Sequence, residues 1–324
     1  MRLLAALTAA ILILIGAPAT PAAATGNGEW AVTPTPAKNP GPTPRLYFFL
    51  DASPGQTIQE SVRVTNLGKE PRSFVLYGAD AYNTVKDGGF ALRTKDRAQV
   101  DLGAWVSSVV GNVTVPAGTS ADIPFTITVP AQATPGDHVG GVVAMEAVPS
   151  GTADAAGATV RIQRAVGARV YLRVAGTVVP GLSVSGLDVD IDSPLLPVPA
   201  RGDLTYTVAN VGNVHLMPAA TVRVTGLFGH EIKTTGSSPS SDMVPGAEGR
   251  FSMRAAGVWP FDVVTTSVVV KADGGVYARK SARSFVWSWT GVALIVLLIG
   301  GIWWSARRRI RSRRARPRGL VAAG

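Results

Sequence analysis

Short alternating runs dominate the chain. Ile123, Phe125, Ile127 and Val129 alternate with Asp122, Pro124, Thr126 and Thr128, the period of two that sends one strand face to a core and the other to water. Val166, Ala168, Val170, Leu172 and Val174 alternate likewise with Arg169, Tyr171 and Arg173. Pro124 has no N–H for a ladder, so its strand is expected at an edge or with a local break. Between residues 45 and 284 no stretch sustains the 3.6-residue apolar spacing of a helix, and Gly, Pro and Asn cut the runs to strand length. This exterior reads as all-β.

Two apolar segments depart from that pattern. Phe285–Trp304, FVWSWTGVALIVLLIGGIWW, carries no charge. As a helix it spans about 30 Å, the thickness of a bilayer's hydrocarbon core. Trp287 and Trp289 mark one end and Trp303 and Trp304 the other, where amphipathic rings sit at headgroup level. A soluble helix of this length keeps a polar face, and this one has none. At the other end, residues 1–24 combine Arg2, an apolar run from Leu3 to Gly16 and the small residues Ala22, Ala23 and Ala24. That combination predicts a signal peptide cleaved after Ala24. The proline-rich lead-in over 25–44 cannot form a helix, although its WAVTP run suits an edge strand.

An internal echo divides the exterior. PGQTIQESVRVTNLG from Pro54 is echoed by PARGDLTYTVANVG from Pro199, and VPAGTSADIPFTI from Val115 by VPGAEGRFSM from Val244. The same order of turn, strand and Asn-x-Gly predicts two tandem immunoglobulin-like β-sandwich domains, over 45–178 and 179–284. The first is longer, with extra chain around Lys86 to Val113. A transmembrane α-helix at 285–304 and an Arg-rich tail at 305–324 complete the layout.

Charge changes the picture only through its location. The formal net charge is +10, but eight arginines lie in the tail, at Arg307, Arg308, Arg309, Arg311, Arg313, Arg314, Arg316 and Arg318. Residues 25–284 carry 22 basic residues against 21 acidic ones. A nucleic-acid partner needs basic residues clustered on the folded surface, which this body lacks. The tail therefore reads as a positive-inside topology signal, with the C-terminus cytoplasmic and the N-terminus outside. It also suits anionic lipid headgroups, at about 1 kcal/mol per residue. Cysteine is absent, so no disulfide supports the exported part.

Candidate chemistry is sparse. Asp80, Tyr82 and Phe90, with Asn83, Asp87 and Trp105, place aromatic faces beside polar groups in the longer insertion, as glycan recognition requires. Trp105 reads more readily as the plug of the sandwich core. TPGDHVGGVVA, residues 134–144, presents Asp137 and His138 in a glycine-dense run that is either a tight turn opening a strand or a binding loop. Asp188, Asp190 and Asp192 share one side of a predicted strand, opposite Leu187, Val189 and Ile191, and suit a solvated face better than calcium. His138, His215 and His230 have no metal-ligand spacing, and no HExxH, GxSxG or P-loop motif occurs. No cofactor, metal or enzymatic activity is expected.

WAVTP, PGQTIQESVRVTN, YGADAYNTVKDGGF, GAWVSS, PAGTSADIPFTITVP and TPGDHVGGVVA, in this order, resemble the peptidoglycan-binding domain of the WxL-interacting protein family. The likeness covers about Trp30 to Gly176. Residues 180–283 resemble the immunoglobulin-like domain that follows it in actinobacterial members. The resemblance implies a Gram-positive cell-surface protein whose first domain contacts peptidoglycan and whose second engages a WxL-domain or other surface protein. The alternative is an accessory subunit of a membrane complex, with the sandwiches as spacers. A two-domain fimbrial-type chaperone also pairs such units, but those proteins are soluble, and the expected span argues against one.

Overall fold

The structure, a computed structural model, describes residues 28–37, 44–108, 111–149, 151–155, 158–239 and 242–314. The expected signal peptide, Arg316 and Arg318 lie outside the described residues. Twelve described strands precede Gly176: β1 (Trp30–Pro34), β2 (Phe48–Ala52), β3 (Thr57–Asn66), β4 (Arg72–Asn83), β5 (Phe90–Leu92), β6 (Val106–Ser108), β7 (Asn112–Val115), β8 (Ser120–Thr128), β9 (Gly136–Glu146), β10 (Gly151–Ala155), β11 (Ala158–Ile162) and β12 (Ala165–Val174). Seven follow: β13 (Leu182–Ile191), β14 (Ala200–Asn210), β15 (Ala219–Thr225), β16 (Glu231–Gly236), β17 (Glu248–Val258), β18 (Phe261–Lys271) and β19 (Tyr277–Trp287). A single helical turn, α1 (Leu102–Trp105), lies in the insertion, and a long helix, α2 (Trp289–Arg314), follows β19.

In the N-terminal half, a sheet ordered β1-β3-β8-β6 packs over one ordered β2-β12-β9-β4-β5, with β7 also on β4. The alternating residues do as their period requires: Ile123, Phe125, Ile127 and Val129 are buried between the layers with Val170, Leu172 and Val174. WAVTP is the edge strand β1. Pro124 lies beyond the last described β6–β8 pair, Ser108↔Phe125, so among the described residues no strand pairs with it on that side.

Trp30, fully buried, fills the place considered for Trp105. It contacts Phe74 at 5.4 Å between ring centroids. The Arg72 and Arg164 guanidinium groups lie over its ring at 5.6 and 5.3 Å, and Glu29 and Glu146 pair with both arginines. Trp105 is only partly buried, at the rim of the same cluster. The lead-in indole wins the core because β1 runs antiparallel along the whole of β3's inner end, from Trp30↔Asn66 to Pro34↔Val62.

The C-terminal half is one sheet ordered β13-β14-β17-β16-β15-β18-β19. It rolls on itself until its two ends face each other, with Ser284 Oγ donating to the Val189 carbonyl at 3.4 Å. Leu204, Val258 and Val264 fill one part of the interior and Tyr206, Val208, Phe251 and Val268 the other. Asp188, Asp190 and Asp192 face solvent on its outer strand and beyond, while Leu187, Val189 and Ile191 are half-buried.

The echoed asparagines do the same work in each half. Asn66 donates to the Glu70 and Val115 carbonyls at 2.8 and 3.0 Å and accepts from the Gly68 N–H at 3.0 Å. Asn210 donates to the Val214 and Met243 carbonyls at 2.7 and 3.0 Å and accepts from Gly212 at 3.1 Å. Each buried amide is satisfied and closes a strand end against a second segment. Among the described residues, no strand of the first twelve pairs with any of the last seven.

The apolar C-terminal segment departs from its expected start. Phe285, Val286 and Trp287 belong to β19, with Val286 buried in the sheet interior. Their period is two, and the apolar run hid the change to helix. Ser288 makes that change: its hydroxyl accepts from the Gly291 N–H at 3.2 Å, an N-cap for α2. The helix then runs past the expected end at Trp304 to Arg314, through Arg307, Arg308, Arg309 and Arg311 to Arg313 in its last turns. Leu294 to Ile299 stand exposed. Trp289–Arg311 is long and apolar enough to cross a membrane. Arg307 and Arg308 lie over the rings of Trp303 and Trp304 at 4.9 and 5.5 Å, pairing cations with the rings expected at the second headgroup layer.

Candidate functional site

Asp80 leaves the surface. It is buried on β4, where its carboxylate accepts the N–H groups of Val100 (2.6 Å), Gly103 (2.7 Å) and Asp101 (3.2 Å). A buried carboxylate with several backbone donors holds the insertion onto the sheet and is spent as a ligand for anything else. The glycines of the insertion and of β9 serve the same approach. A Cβ on Gly103 would lie 2.5 Å from the Asp80 nitrogen, and one on Gly141 2.7 Å from Leu92 Cδ1. TPGDHVGGVVA is accordingly the turn that opens a strand and not a loop. From Gly136 it is strand β9, and its glycines let the insertion lie flat.

His138 and Trp105 meet at the insertion's edge. The His138 ring lies 4.5 Å from the Trp105 ring, with Nδ1 2.5 Å from Asp101 Oδ1 and Nε2 2.9 Å from the Thr134 carbonyl. Burial works against its charge, but the Asp101 carboxylate and the Thr134 carbonyl outweigh it, so the His138 pKa stands above the ordinary histidine value.

Asp137, Asn83 and Phe90 face the C-terminal half. Asp137 accepts Nε and Nη2 of Arg173 at 2.6 and 2.9 Å, and the backbone N–H of His215 at 3.0 Å, with His215 Nδ1 2.7 Å away. Burial would raise its pKa, yet His215 and Arg173 together hold it far below the usual carboxylate range. Asn83 donates to the Asp242 carbonyl at 2.6 Å and accepts from the Val244 N–H at 2.9 Å. Phe90 lies under the Arg169 guanidinium at 4.1 Å, and Arg169 and the Tyr171 hydroxyl both reach the Asp242 carboxylate. Burial and that carboxylate push the Tyr171 hydroxyl well above the phenol range. Tyr171 breaks the alternation of its strand because Val139 and Val244 cover its outer face. These candidates bind the two halves of the chain to each other, and Tyr82 alone of the aromatic set is exposed, at 40%.

A second surface, built partly from the same insertion, has the composition sought there. A cavity of about 570 Å³ on the outer face of β4, β9 and β12 is lined by Tyr77, Thr94, Lys95, Asp96, Met145, Gln163 and Ala165. Burial, then the Asp96 carboxylate, push the Tyr77 hydroxyl above the ordinary phenol range. The alternation Phe74, Leu76 inward and Val75, Tyr77 outward carried the signal for Tyr77; the extra chain around Lys86 to Val113 was visible in the sequence, but not that it brings Thr94 to Asp96 beside this ring. Among the described residues, no group of three or more His, Asp or Glu side chains is placed to hold a metal ion.

No protein-family model and no curated protein matches the chain. Solved structures similar to it include a chain of the chaperone–tip adhesin complex of CFA/I fimbriae biogenesis, with TM-score 0.37 and 13% identity over 79% of this chain and 98% of that one. The YadV chaperone gives 0.36 and 10% over 79% and 100%. The Pseudomonas aeruginosa CupB2 chaperone gives 0.33 and 12% over 74% and 97%. Scores of this size carry nothing about activity or partners.

Proposed function

We propose that this chain is a non-catalytic, single-pass surface protein of a Gram-positive bacterium, of the WxL-interacting kind. In this reading α2 crosses the membrane with its arginines in the cytoplasm. The two β-rich halves are immunoglobulin-like sandwiches in the cell-wall zone, the first contacting peptidoglycan and the second presented to a surface protein partner. The observation that carries the wall contact is the open cavity at Tyr77. It pairs an aromatic ring and Met145 with Thr94, Lys95, Asp96 and Gln163, apolar faces for sugar rings beside donors and acceptors for hydroxyls and peptide carboxylates. An anchor and a wall contact on one chain raise effective concentration, so a modest affinity suffices.

The full chain, embedded in lipid nanodiscs and mixed with isolated sacculi, should sediment with them. Tyr77→Ala should weaken retention roughly tenfold, about 1.4 kcal/mol, and Tyr82→Ala much less. Parent protein left in the supernatant would remove the wall-contact reading and favour an accessory subunit of a membrane complex.

A further inference from the structure

Three connections and the strand-to-helix junction meet at one end of the C-terminal sheet. The β13–β14 connection is tied to the start of α2, because the Leu195 carbonyl accepts from Ser288 Oγ at 3.0 Å and from the Thr290 N–H at 3.2 Å. The β15–β16 connection is tied to β18, where Asp262 accepts the Leu227 N–H at 2.6 Å and faces His230 Nε2 at 3.3 Å. Trp259, between β17 and β18, stacks on His230 at 3.9 Å and 12°. Asp262 pairs with Val286, two residues before Ser288. These segments form one surface, on which the large apolar side chains Leu195, Leu196, Phe228, Trp259, Trp287 and Trp289 are all exposed, with the exposed Asp192 and Ser193 in the β13–β14 connection.

Phe228 is the sharpest case. It is 91% exposed and, with φ 63°, the only described residue other than glycine in the left-handed region. A bulky side chain in that conformation is strained, and local strain of this kind persists where it serves a function. Here it holds a phenyl ring out from a tight turn at the end from which α2 departs.

We propose that this rim seats in the headgroup layer of the bilayer that α2 crosses, with Phe228, Trp259 and Leu196 lodged among lipid. The inference rests on the reading of α2 as a transmembrane helix. Lipid is the occupant because the rim is covalently continuous with that helix: Trp289, its first residue, and Trp287 lie 5.9 Å apart between ring centroids on the same surface. Tryptophan and phenylalanine at that depth match the interfacial preference of amphipathic and aromatic rings. The C-terminal half then stands fixed on the membrane instead of swinging from its helix.

The chain has no cysteine, so single cysteines carry an environment-sensitive fluorophore cleanly. Phe228→Cys, Leu297→Cys and Asp273→Cys, the last in the β18–β19 turn at the sheet's far end, are reconstituted as full chains in phosphatidylcholine–phosphatidylglycerol vesicles containing nitroxide lipids. The label at 228 should emit blue-shifted and be quenched by shallow nitroxides, that at 297 by deep ones, and that at 273 by neither. A quenched 297 with a water-like 228 overturns the docked rim alone. An unquenched 297 overturns the anchored reading beneath it. A blue-shifted 228 that no nitroxide lipid quenches assigns the rim to a protein contact and also overturns the proposal.

Discussion

Asp137→Ala is the most demanding perturbation of the join between the halves. The carboxylate is 3% exposed and holds Arg173 and His215 through contacts of 2.6 to 3.0 Å. Counted singly, charge-assisted bonds are worth about 1.5–3 kcal/mol each, but they share one carboxylate and do not add. Arg173 is 45% exposed and rehydrates when released, which discounts its share. The His215 N–H loses its acceptor outright. The expected cost is about 3 kcal/mol at pH 7, the lower end for breaking a buried pair. Asp137→Asn keeps an acceptor for His215 and should cost about half as much. Urea unfolding of the full chain in detergent, read by tryptophan fluorescence, measures both. Asp137 titrates in the folded protein far below its ordinary 3.8, so its contribution is present above that value and lost as pH falls through the folded pKa. The gap between parent and Asp137→Asn should therefore narrow below about pH 4. An Asp137→Ala variant within about 0.5 kcal/mol of the parent at pH 7, ordinary for a surface change, would refute the reasoning.

Asp80→Ala removes the acceptor of three backbone N–H groups and should cost about 3 kcal/mol, with trypsin cutting faster at Arg93, Lys95 and Arg97; an unchanged digest contradicts this. The raised pKa of His138 means its pairing with Asp101 stabilises fully below the unfolded value of 6.5 and is lost as pH rises through the higher folded value. Asp101 is 41% exposed, so the effect is about 0.5 kcal/mol, and Asp101→Asn should flatten the dependence of melting temperature on pH above 6.5 relative to the parent. Phe228→Gly relieves about 1–2 kcal/mol of left-handed strain against about 0.5–1 for glycine's freedom when unfolded, so a small rise in melting temperature is expected and a fall would count against the strain.

The β character and the paired Asn-x-Gly corners were legible because their causes are local. A period of two needs only neighbouring residues, and each asparagine bonds within four positions before reaching across to Val115 or Met243. The candidate ligand residues misled for the opposite reason. Asp80, Asn83 and Asp137 are polar groups in glycine-rich runs, the composition of a binding loop, but their partners sit at Gly103, Val244 and His215. Tyr171 alternated correctly and was buried by a segment that no window around it contains. Trp105 and Trp30 competed for one core position, and strand pairing by β1, not residue type, decided it. Phe285 to Trp287 read as helix because a buried strand residue between two large apolar ones has the composition of a membrane span.

The direct passage from β19 through Ser288 into α2 has a mechanical consequence. β19 pairs with β18 over its full 11 residues, from Tyr277 to Trp287. Tension between a held N-terminal half and the anchor would enter along that strand's axis and load the ladder in shear, sharing the force among many bonds. Were the strand reversed, the same pull would peel them one after another.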